Sequence, residues 1–148
     1  YVAHGPSLPE MLELADAALV IGDPALYLDT DIPRLDLGEE WQVRTGLPFV
    51  YAFWAGRPGV LGAQDVERLQ RALREGLAAV DRIAAAYATP GSEPGARPGG
   101  REGRNASYLR SNVLYSLGDD EQRGLREFYR RAFALGLIPR LPELRFHA

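Results

Sequence analysis

The residue that most clearly offers chemistry is Asp23, which directly follows an apolar run. Residues 15–28 read "ADAALVIGDPALYL", and the part from 17 to 22 favours a buried strand. Open α/β sheets bind ligands at the carboxyl ends of their strands, so Asp23 would emerge at the position where such sheets usually place a ligand. Aspartate is also a good helix N-cap when proline follows, so a capping role for Asp23 is the competing interpretation.

Few other residue types could carry catalysis. The chain has no cysteine, which excludes thiolate nucleophiles, thiolate metal sites and disulfides. Its two histidines, His4 and His147, lie at opposite ends, so neither a histidine-based triad nor a multi-histidine metal site is expected. Neighbouring acids usually point into solvent, and this is the expectation for Asp29/Asp31, Glu39/Glu40 and Asp119/Asp120. No metal site is predicted.

The amino-acid composition and net charge limit the kinds of partner that are expected. All 17 basic residues are arginines and 20 residues are acidic, giving a net charge of -3. A nucleic-acid partner is not expected, because such binding needs a clustered basic excess. No apolar stretch approaches the roughly 20 residues that span a bilayer, so we expect no membrane partner and a cytoplasmic location. The chain starts at Tyr1 without a signal-type region, and we expect that this is not the natural start.

The elements that must position these residues follow from turn and capping signals. Ser7 and Pro9 predict the start of a short helix that leads into the strand at 17–22. A second helix is predicted around residues 38–44, with Gly46 as its C-cap. The stretch "LPFVYAFWA" at 47–55 is rich in aromatic and β-branched residues, which predicts a second strand.

The second half of the chain is predicted to be helical. Apolar residues recur at helical spacing across residues 63–87, at Val66, Leu69, Leu73, Leu77, Val80 and Ile83. A Gly/Pro-rich loop follows at 89–104, and a helix is predicted over 105–115. After a break at Leu117-Gly118, a last helix is predicted with Asp119 as its cap and Glu121 in its first turn, and Gly136 with Pro139 ends it. It is predicted to bury Leu125, Phe128, Ala132 and Leu135.

Three separated blocks carry a family resemblance: "ADAALVIGDPAL", "DLGEEWQVRTGLPFVYAFWAGRPG" and "YLRSNVLYSLGDDEQRGLREFYRRAFALGLI". Together they resemble the chorismate dehydratases of menaquinone biosynthesis by the futalosine pathway. The resemblance implies an α/β periplasmic-binding-protein-like fold of type II, with two lobes and a ligand cleft, of which this chain supplies the carboxyl-terminal half. Residues 1–46 would finish the second lobe, 47–55 would form the crossing strand, and 56–148 would be the helical part of the first lobe.

The resemblance implies a lyase that dehydrates chorismate to 3-[(1-carboxyvinyl)oxy]benzoate without a cofactor. Asp23 would be the base or the acid for the leaving hydroxyl, and Arg44 would pair with a substrate carboxylate or only compensate the helix dipole. The substrate-binding residues would be Gly22 at the cleft wall, Thr45 and Gly46 as donors to a carboxylate, and Tyr51 and Trp54 along the ring.

Two other functions are alternatives to the dehydratase, and self-association is also expected. The sister dihydroxynaphthoate synthases, which act on cyclic dehypoxanthinyl futalosine, share the fold, although the block "TGLPFVYAFW" favours the dehydratase. A solute-binding protein for a small organic anion is the non-enzymatic alternative. The apolar faces of the helix at 63–87 and of the strand at Phe49 predict association, so a homodimer is possible.

Overall fold

The computed structural model describes residues 3, 5, 7–87 and 100–146, which form helices joined by irregular segments. The chain divides into two compact units, residues 1–34 and residues 35–148, and each is described by itself. No β-strand occurs within the described ranges, so the two-lobed α/β architecture expected from the sequence is not seen in them. No helix in these ranges is long and apolar enough to cross a membrane.

The first unit contains two short helices, α1 (Leu8–Leu14) and α2 (Asp23–Leu26). The start of α1 was predicted: Ser7 occupies the N-cap position, and its carbonyl accepts a hydrogen bond from the Met11 N–H at 3.0 Å. The predicted strand at 17–22 is irregular instead, and Leu19 and Ile21 are exposed. A strand needs a neighbouring segment to pair its backbone, and the described part of this unit provides none.

The second unit begins with α3 (Leu37–Thr45), whose two ends follow from local sequence signals. The Asp36 carboxylate accepts hydrogen bonds from the N–H groups of Gly38 and Glu39, at 2.8 and 3.0 Å. Gly46 ends the helix in the left-handed conformation, with φ of 69°, and its N–H donates to the Gln42 carbonyl. The predicted helix and its glycine cap are therefore confirmed.

The single helix predicted over 63–87 is divided into α4 (Ala63–Ala78) and α5 (Val80–Tyr87). The start of α4 is fixed by the Asp65 carboxylate, which accepts from the Gly62 N–H at 3.0 Å. The division follows a tight last turn, in which the Ala79 N–H donates to the carbonyl of Gly76. Glycine weakens helices, and here it stands one turn before the break.

The core of the second unit lies where α5 packs against α6 (Gly100–Ser107). Val80, Ala84 and Ala106 are buried there, and Leu109 packs against them. The side chain of Asn105 is also buried and donates to the Ala84 carbonyl at 3.4 Å. Small residues let the two helices approach closely, so this core is compact but contains few large side chains.

A π-helix (Tyr108–Asn112) continues directly from α6 and ends the helix predicted over 105–115 three residues early. Its last backbone bond runs from the Val113 N–H to the Tyr108 carbonyl at 3.2 Å. Most of the predicted Gly/Pro loop at 89–104 lies outside the described residues, but residues 100–104 belong to α6. The two histidines also lie outside them.

The last helix, α7 (Asp119–Ala134), ends near the predicted position, but Gly118 and not the predicted Asp119 occupies its N-cap. Glu121 caps its start by accepting from the Gly118 N–H at 2.9 Å, and Gly136 follows its end with φ of 70°. Leu125 and Ala132 are buried as predicted. Phe128 is only partly covered, and Leu135 is 74% exposed because it lies beyond the helix, at the C-cap.

Candidate functional site

Gly22 and Asp23 lie at the start of α2, in the first unit. Gly22, not Asp23, occupies the N-cap position, with φ of 67° and ψ of -148°, a conformation that is almost restricted to glycine. Its carbonyl accepts hydrogen bonds from the N–H groups of Ala25 and Leu26, both at 3.0 Å. Asp23 is the first residue of the helical turn and is exposed, followed by Pro24. The observed N-cap is thus Gly22, one residue before Asp23, which the capping interpretation predicted.

Thr45 and Gly46 lie at the C-terminal end of α3, and their polar groups serve the end of the helix. The Thr45 hydroxyl donates to the Trp41 carbonyl at 2.7 Å and accepts from the Leu47 N–H at 3.2 Å. The Gly46 N–H donates to Gln42. Before either group could donate to a substrate carboxylate, the Thr45 hydroxyl would have to release the Trp41 carbonyl, or the Gly46 N–H the Gln42 carbonyl.

Arg44 lies in the last turn of α3 and is already paired. Its Nε donates to the Glu40 carboxylate at 2.9 Å, four residues earlier on the same helix. The arginine side chain is largely exposed, so this ion pair is weak and could be exchanged for another carboxylate.

Tyr51 approaches the opposite end of α3. Its hydroxyl lies so close to Gly38 that a Cβ added there would overlap it. The same added Cβ would come within 3.3 Å of the Asp36 carboxylate, which places phenol and carboxylate side by side. The residue as a whole is 73% exposed, and its phenol is only partly removed from water. This loss of water, followed by the negative charge of Asp36, raises the pKa of Tyr51 above its ordinary value of 10.0.

The remaining part of Tyr51 joins an aromatic cluster, formed by Trp41, Phe49, Tyr51, Phe128 and Tyr129. The ring centroids of Phe49 and Tyr51 are 4.8 Å apart, and those of Trp41 and Phe49 are 5.7 Å apart, in edge-to-face geometry. Such pairs stabilise by about 0.5–1.5 kcal/mol beyond the burial of their area. The aromatic cluster therefore joins residues 49–51 to α3 and α7.

Two further contacts fix the aromatic cluster. The Arg131 guanidinium lies over the Trp41 ring, 5.3 Å from its centroid, and Glu127 holds that arginine. Gly124 on α7 is so close to the Pro48 carbonyl that a side chain at position 124 would collide with it. The close approach of α7 to the backbone before Phe49 explains the glycine.

The predicted binding residues of the second unit do not converge on one point. The Tyr51 hydroxyl lies near the first turn of α3, whereas Thr45 and Gly46 lie at its other end. At about 1.5 Å per residue, these positions are separated by roughly 10 Å. Trp54 is 89% exposed and takes no part in the aromatic cluster's ring contacts. Gly22 and Asp23 belong to the first unit.

Two hollows of the second unit contain none of the predicted residues. One, of about 180 Å³, has an almost wholly apolar lining from α4, α5 and the π-helix, including Leu73, Val80 and Leu109. The Tyr115 hydroxyl at its edge donates to the Leu109 carbonyl. A ligand with two carboxylates does not suit such a lining. The other, of about 640 Å³, is an open depression beside Tyr129 and residues 138–143.

The sequence prediction missed the roles of Asp36, which caps α3, and of Gly38, which lies against the Tyr51 hydroxyl. The signal was present, because an aspartate followed three residues later by glutamate marks a helix start. Contact with Tyr51, thirteen residues further on, has no such local signal. No group of three or more potential metal-binding side chains comes together in the parts of the chain described above.

Comparison with known proteins gives one positive result. A family model described as menaquinone biosynthesis matches residues 1–134. The search of solved structures found no match. The matched range includes all six predicted site residues and the whole of α7.

Proposed function

Because the chain belongs to the menaquinone-biosynthesis family, we propose that it catalyses the dehydration of chorismate within that pathway. The observation that carries this proposal is the family match over residues 1–134, together with the three sequence blocks that resemble the dehydratases. We further propose the two-lobed periplasmic-binding-protein-like architecture for the complete enzyme, with this chain as its carboxyl-terminal half.

The proposed reaction removes one water from the ring of chorismate. A base takes the proton from C3, and the electrons of that C–H bond form a new ring double bond. The C4–O bond breaks, and the departing hydroxide takes up a proton to leave as water. The ring becomes aromatic, which supplies the driving force, while the enolpyruvyl ether stays intact. The enzyme has to place a base, assist the leaving hydroxyl and hold two carboxylates.

Asp23 is the proposed proton-transferring residue. It is an exposed carboxylate at the start of α2, immediately after the conformationally restricted Gly22. The backbone conformation at Gly22 fixes the orientation of Asp23 relative to residues 17–22. A general base has to be held in such a fixed orientation. Gly22 would line the substrate at the same point.

The other proposed contacts come from the second unit. Tyr51 keeps its proton to higher pH than an ordinary tyrosine, so its hydroxyl can donate to a substrate oxygen over the whole physiological range. Trp54 offers an exposed indole that can cover the substrate ring. Thr45 and Gly46 would donate to a carboxylate after exchanging their present hydrogen bonds at the end of α3.

The proposal is tested by incubating the protein with chorismate, without added cofactor, and following the mixture by mass spectrometry. The expected product is lighter by one water and retains the enolpyruvyl group. Asp23→Asn should lower kcat about 10²- to 10⁴-fold, the usual contribution of a general acid or base. Asp16→Asn, which removes another exposed acid of the first unit, should retain the wild-type rate.

Other outcomes would contradict the proposal. Unchanged chorismate with conversion of cyclic dehypoxanthinyl futalosine would assign the chain to the sister synthases. If neither compound reacts but calorimetry shows that chorismate binds, the protein acts as a binding protein. Equal rates for wild type and Asp23→Asn would remove Asp23 from the reaction.

A further inference from the structure

Asp36 and Tyr51 place a hydrogen-bond acceptor beside a hydrogen-bond donor at the first turn of α3. The Tyr51 hydroxyl lies against Gly38, and a Cβ added to that glycine would also be 3.3 Å from Oδ1 of Asp36. The phenol oxygen and the carboxylate are therefore neighbours of the same glycine. We call Asp36 and Tyr51 the acid–phenol pair.

The acceptor of the acid–phenol pair is fixed by the backbone and still has a free oxygen. Oδ1 of Asp36 accepts both capping hydrogen bonds, from the N–H groups of Gly38 at 2.8 Å and Glu39 at 3.0 Å. Within the described ranges, Oδ2 has no hydrogen-bond partner, and the residue is exposed. The carboxylate is thus held in place while one of its oxygens can accept from a ligand.

The donor of the pair is also held without using its hydrogen bond. Among the described residues, the Tyr51 hydroxyl donates to no other side chain or carbonyl, Asp36 included. Its ring packs edge-to-face on Phe49, with 4.8 Å between the centroids. Because the pKa of Tyr51 is raised, the phenol keeps its proton. Tyr51 therefore offers a fixed donor next to the fixed acceptor of Asp36.

A donor next to an acceptor suits a neutral hydroxyl group of a ligand. An alcohol oxygen can accept from the phenol while its own proton is donated to the carboxylate. A ligand carboxylate offers acceptors only, and the negative charge of Asp36 would repel it. Chorismate has one hydroxyl, on C4, and two carboxylates. The acid–phenol pair therefore suits the first of these groups and disfavours the other two.

From these observations we propose that the acid–phenol pair binds the C4 hydroxyl of chorismate, the group that leaves as water. This inference rests on the proposed function and names the substrate group that Tyr51 contacts. Tyr51 donates a hydrogen bond to the hydroxyl oxygen, and Oδ2 of Asp36 accepts one from the hydroxyl proton. The pair exchanges no proton with the substrate. Because the product lacks this hydroxyl, the pair favours the binding of substrate over product.

The substrate and the product of the proposed reaction provide the test. Both carry the enolpyruvyl ether and two carboxylates on a six-membered ring, but only chorismate has the hydroxyl. The KM for chorismate and the inhibition constant of 3-[(1-carboxyvinyl)oxy]benzoate are measured for the wild type and for two variants. Asp36→Asn keeps a good N-cap residue but loses the charge, and Tyr51→Phe loses the donor.

Both variants should bind chorismate more weakly and the product as the wild type does. Asp36→Asn should raise KM about 10- to 100-fold, because a hydrogen bond to a charged group is lost. Tyr51→Phe, which loses a neutral hydrogen bond, should raise it about three- to tenfold. The inhibition constant of the product should stay the same in both. A merely structural role for either residue would weaken the two compounds alike.

Two further variants control for charge and for position. Glu39→Gln removes an exposed acid from the same turn of α3 and should leave both constants at their wild-type values. Gly38→Ala adds a side chain that displaces the Tyr51 hydroxyl, so it should raise KM as Tyr51→Phe does. The two changes combined should raise KM no further than either alone, because both remove the same contact. Circular dichroism should show equal helix content in all of these proteins.

Turnover by the wild type tests the proposed function, whereas the contrast between the two compounds tests the pair. An unchanged KM in both variants, or an equal loss of affinity for chorismate and product, overturns the pair even in an active enzyme. If the wild type does not convert chorismate, calorimetry with the same two compounds replaces the kinetics. A preference for chorismate that both variants lose then supports the pair. Equal affinities in the wild type, or no binding of either compound, overturn it.

Discussion

Tyr51 shows how a residue that is mostly exposed can still have a distinct chemical environment. Its ring lies at the edge of the aromatic cluster, but its hydroxyl faces the Gly38 backbone and the Asp36 carboxylate. Removal of water and the nearby negative charge both disfavour the phenolate. The environment therefore depends on Gly38, because any side chain at that position would displace the hydroxyl.

The pKa of Tyr51 gives a prediction for alkaline pH. The folded protein binds the phenolic proton more tightly than the unfolded chain does. The associated stability is therefore complete below pH 10 and is lost as the pH rises through the higher folded pKa. Ultraviolet absorbance should show that one of the seven tyrosines ionises late, and Tyr51→Phe should remove this step. Loss of the late step in Tyr129→Phe instead would contradict the assignment.

Glu127 gives the corresponding prediction for acidic pH. Arg130 donates two hydrogen bonds to its carboxylate and Arg131 donates one, all at 2.7 Å. These bonds lower the pKa of Glu127 from 4.5 to about 2. The contribution to stability is present above pH 4.5 and is lost as the pH falls toward 2.

Glu127→Gln should therefore flatten the pH dependence of the urea midpoint between those two values. Glu67→Gln, an exposed acid on α4, serves as the comparison and should leave the profile unchanged. An identical acid profile for wild type and Glu127→Gln would show that the arginine contacts do not persist in solution.

At the scale of the element, α3 shows that its two ends are set by single residues. Gly46 has φ of 69° and no atom within 4 Å of the position where a Cβ would stand. Gly46→Ala should thus destabilise by about 1–2 kcal/mol through backbone conformation alone. Gly103→Ala, in the helical and equally open setting of α6, should stabilise by about 0.5–1 kcal/mol. Urea unfolding followed by circular dichroism measures both, and equal effects at the two glycines would contradict this account.

Helix ends were the most predictable part of the fold, because capping depends on residues within one turn of each other. The predicted positions Ser7, Gly46 and Gly136 all mark the ends of helices that the structure contains. The break at Ala79 and the π-helix were not predicted, since they depend on how α5 and α6 pack. The two strand predictions were wrong for a different reason. A strand requires a neighbouring strand to pair with its backbone, and strand-forming residues alone do not supply that neighbour.

The candidate site was predictable only in its separate pieces. The sequence identified the Gly22-Asp23 pair and the exposed aromatic residues Tyr51 and Trp54, but spatial convergence depends on contacts between distant residues. The contact of Tyr51 with Gly38 illustrates this, because thirteen residues separate them. Likewise, the hydrogen bonds that occupy Thr45 and Gly46 become visible only with the helix end in place.

At the scale of the whole molecule, few residues stabilise the second unit by complete burial. In the described parts of the chain, the buried apolar residues are Val80, Ala84, Ala106, Leu125 and Ala132. At about 25 cal/mol per Å² of apolar area, such small side chains contribute little each. Stability is therefore expected to be concentrated around them and low elsewhere.

Amide hydrogen exchange measures this distribution. The slowest amides should lie near residues 80–84, 105–109 and 124–132. The fastest should lie between 51 and 62, where every residue is exposed. Uniform exchange over the whole second unit would mean that it unfolds only as a single cooperative body, contrary to the expected distribution.

The aromatic cluster also gives the protein two optical probes in opposite environments. Trp41 is packed between aromatic rings and under Arg131, whereas Trp54 is 89% exposed. Their fluorescence should therefore separate into a blue-shifted emission and a red-shifted emission that soluble quenchers reach first. With only two tryptophans in the sequence, the first component follows unfolding and the second follows changes around residue 54, so neither requires an attached dye.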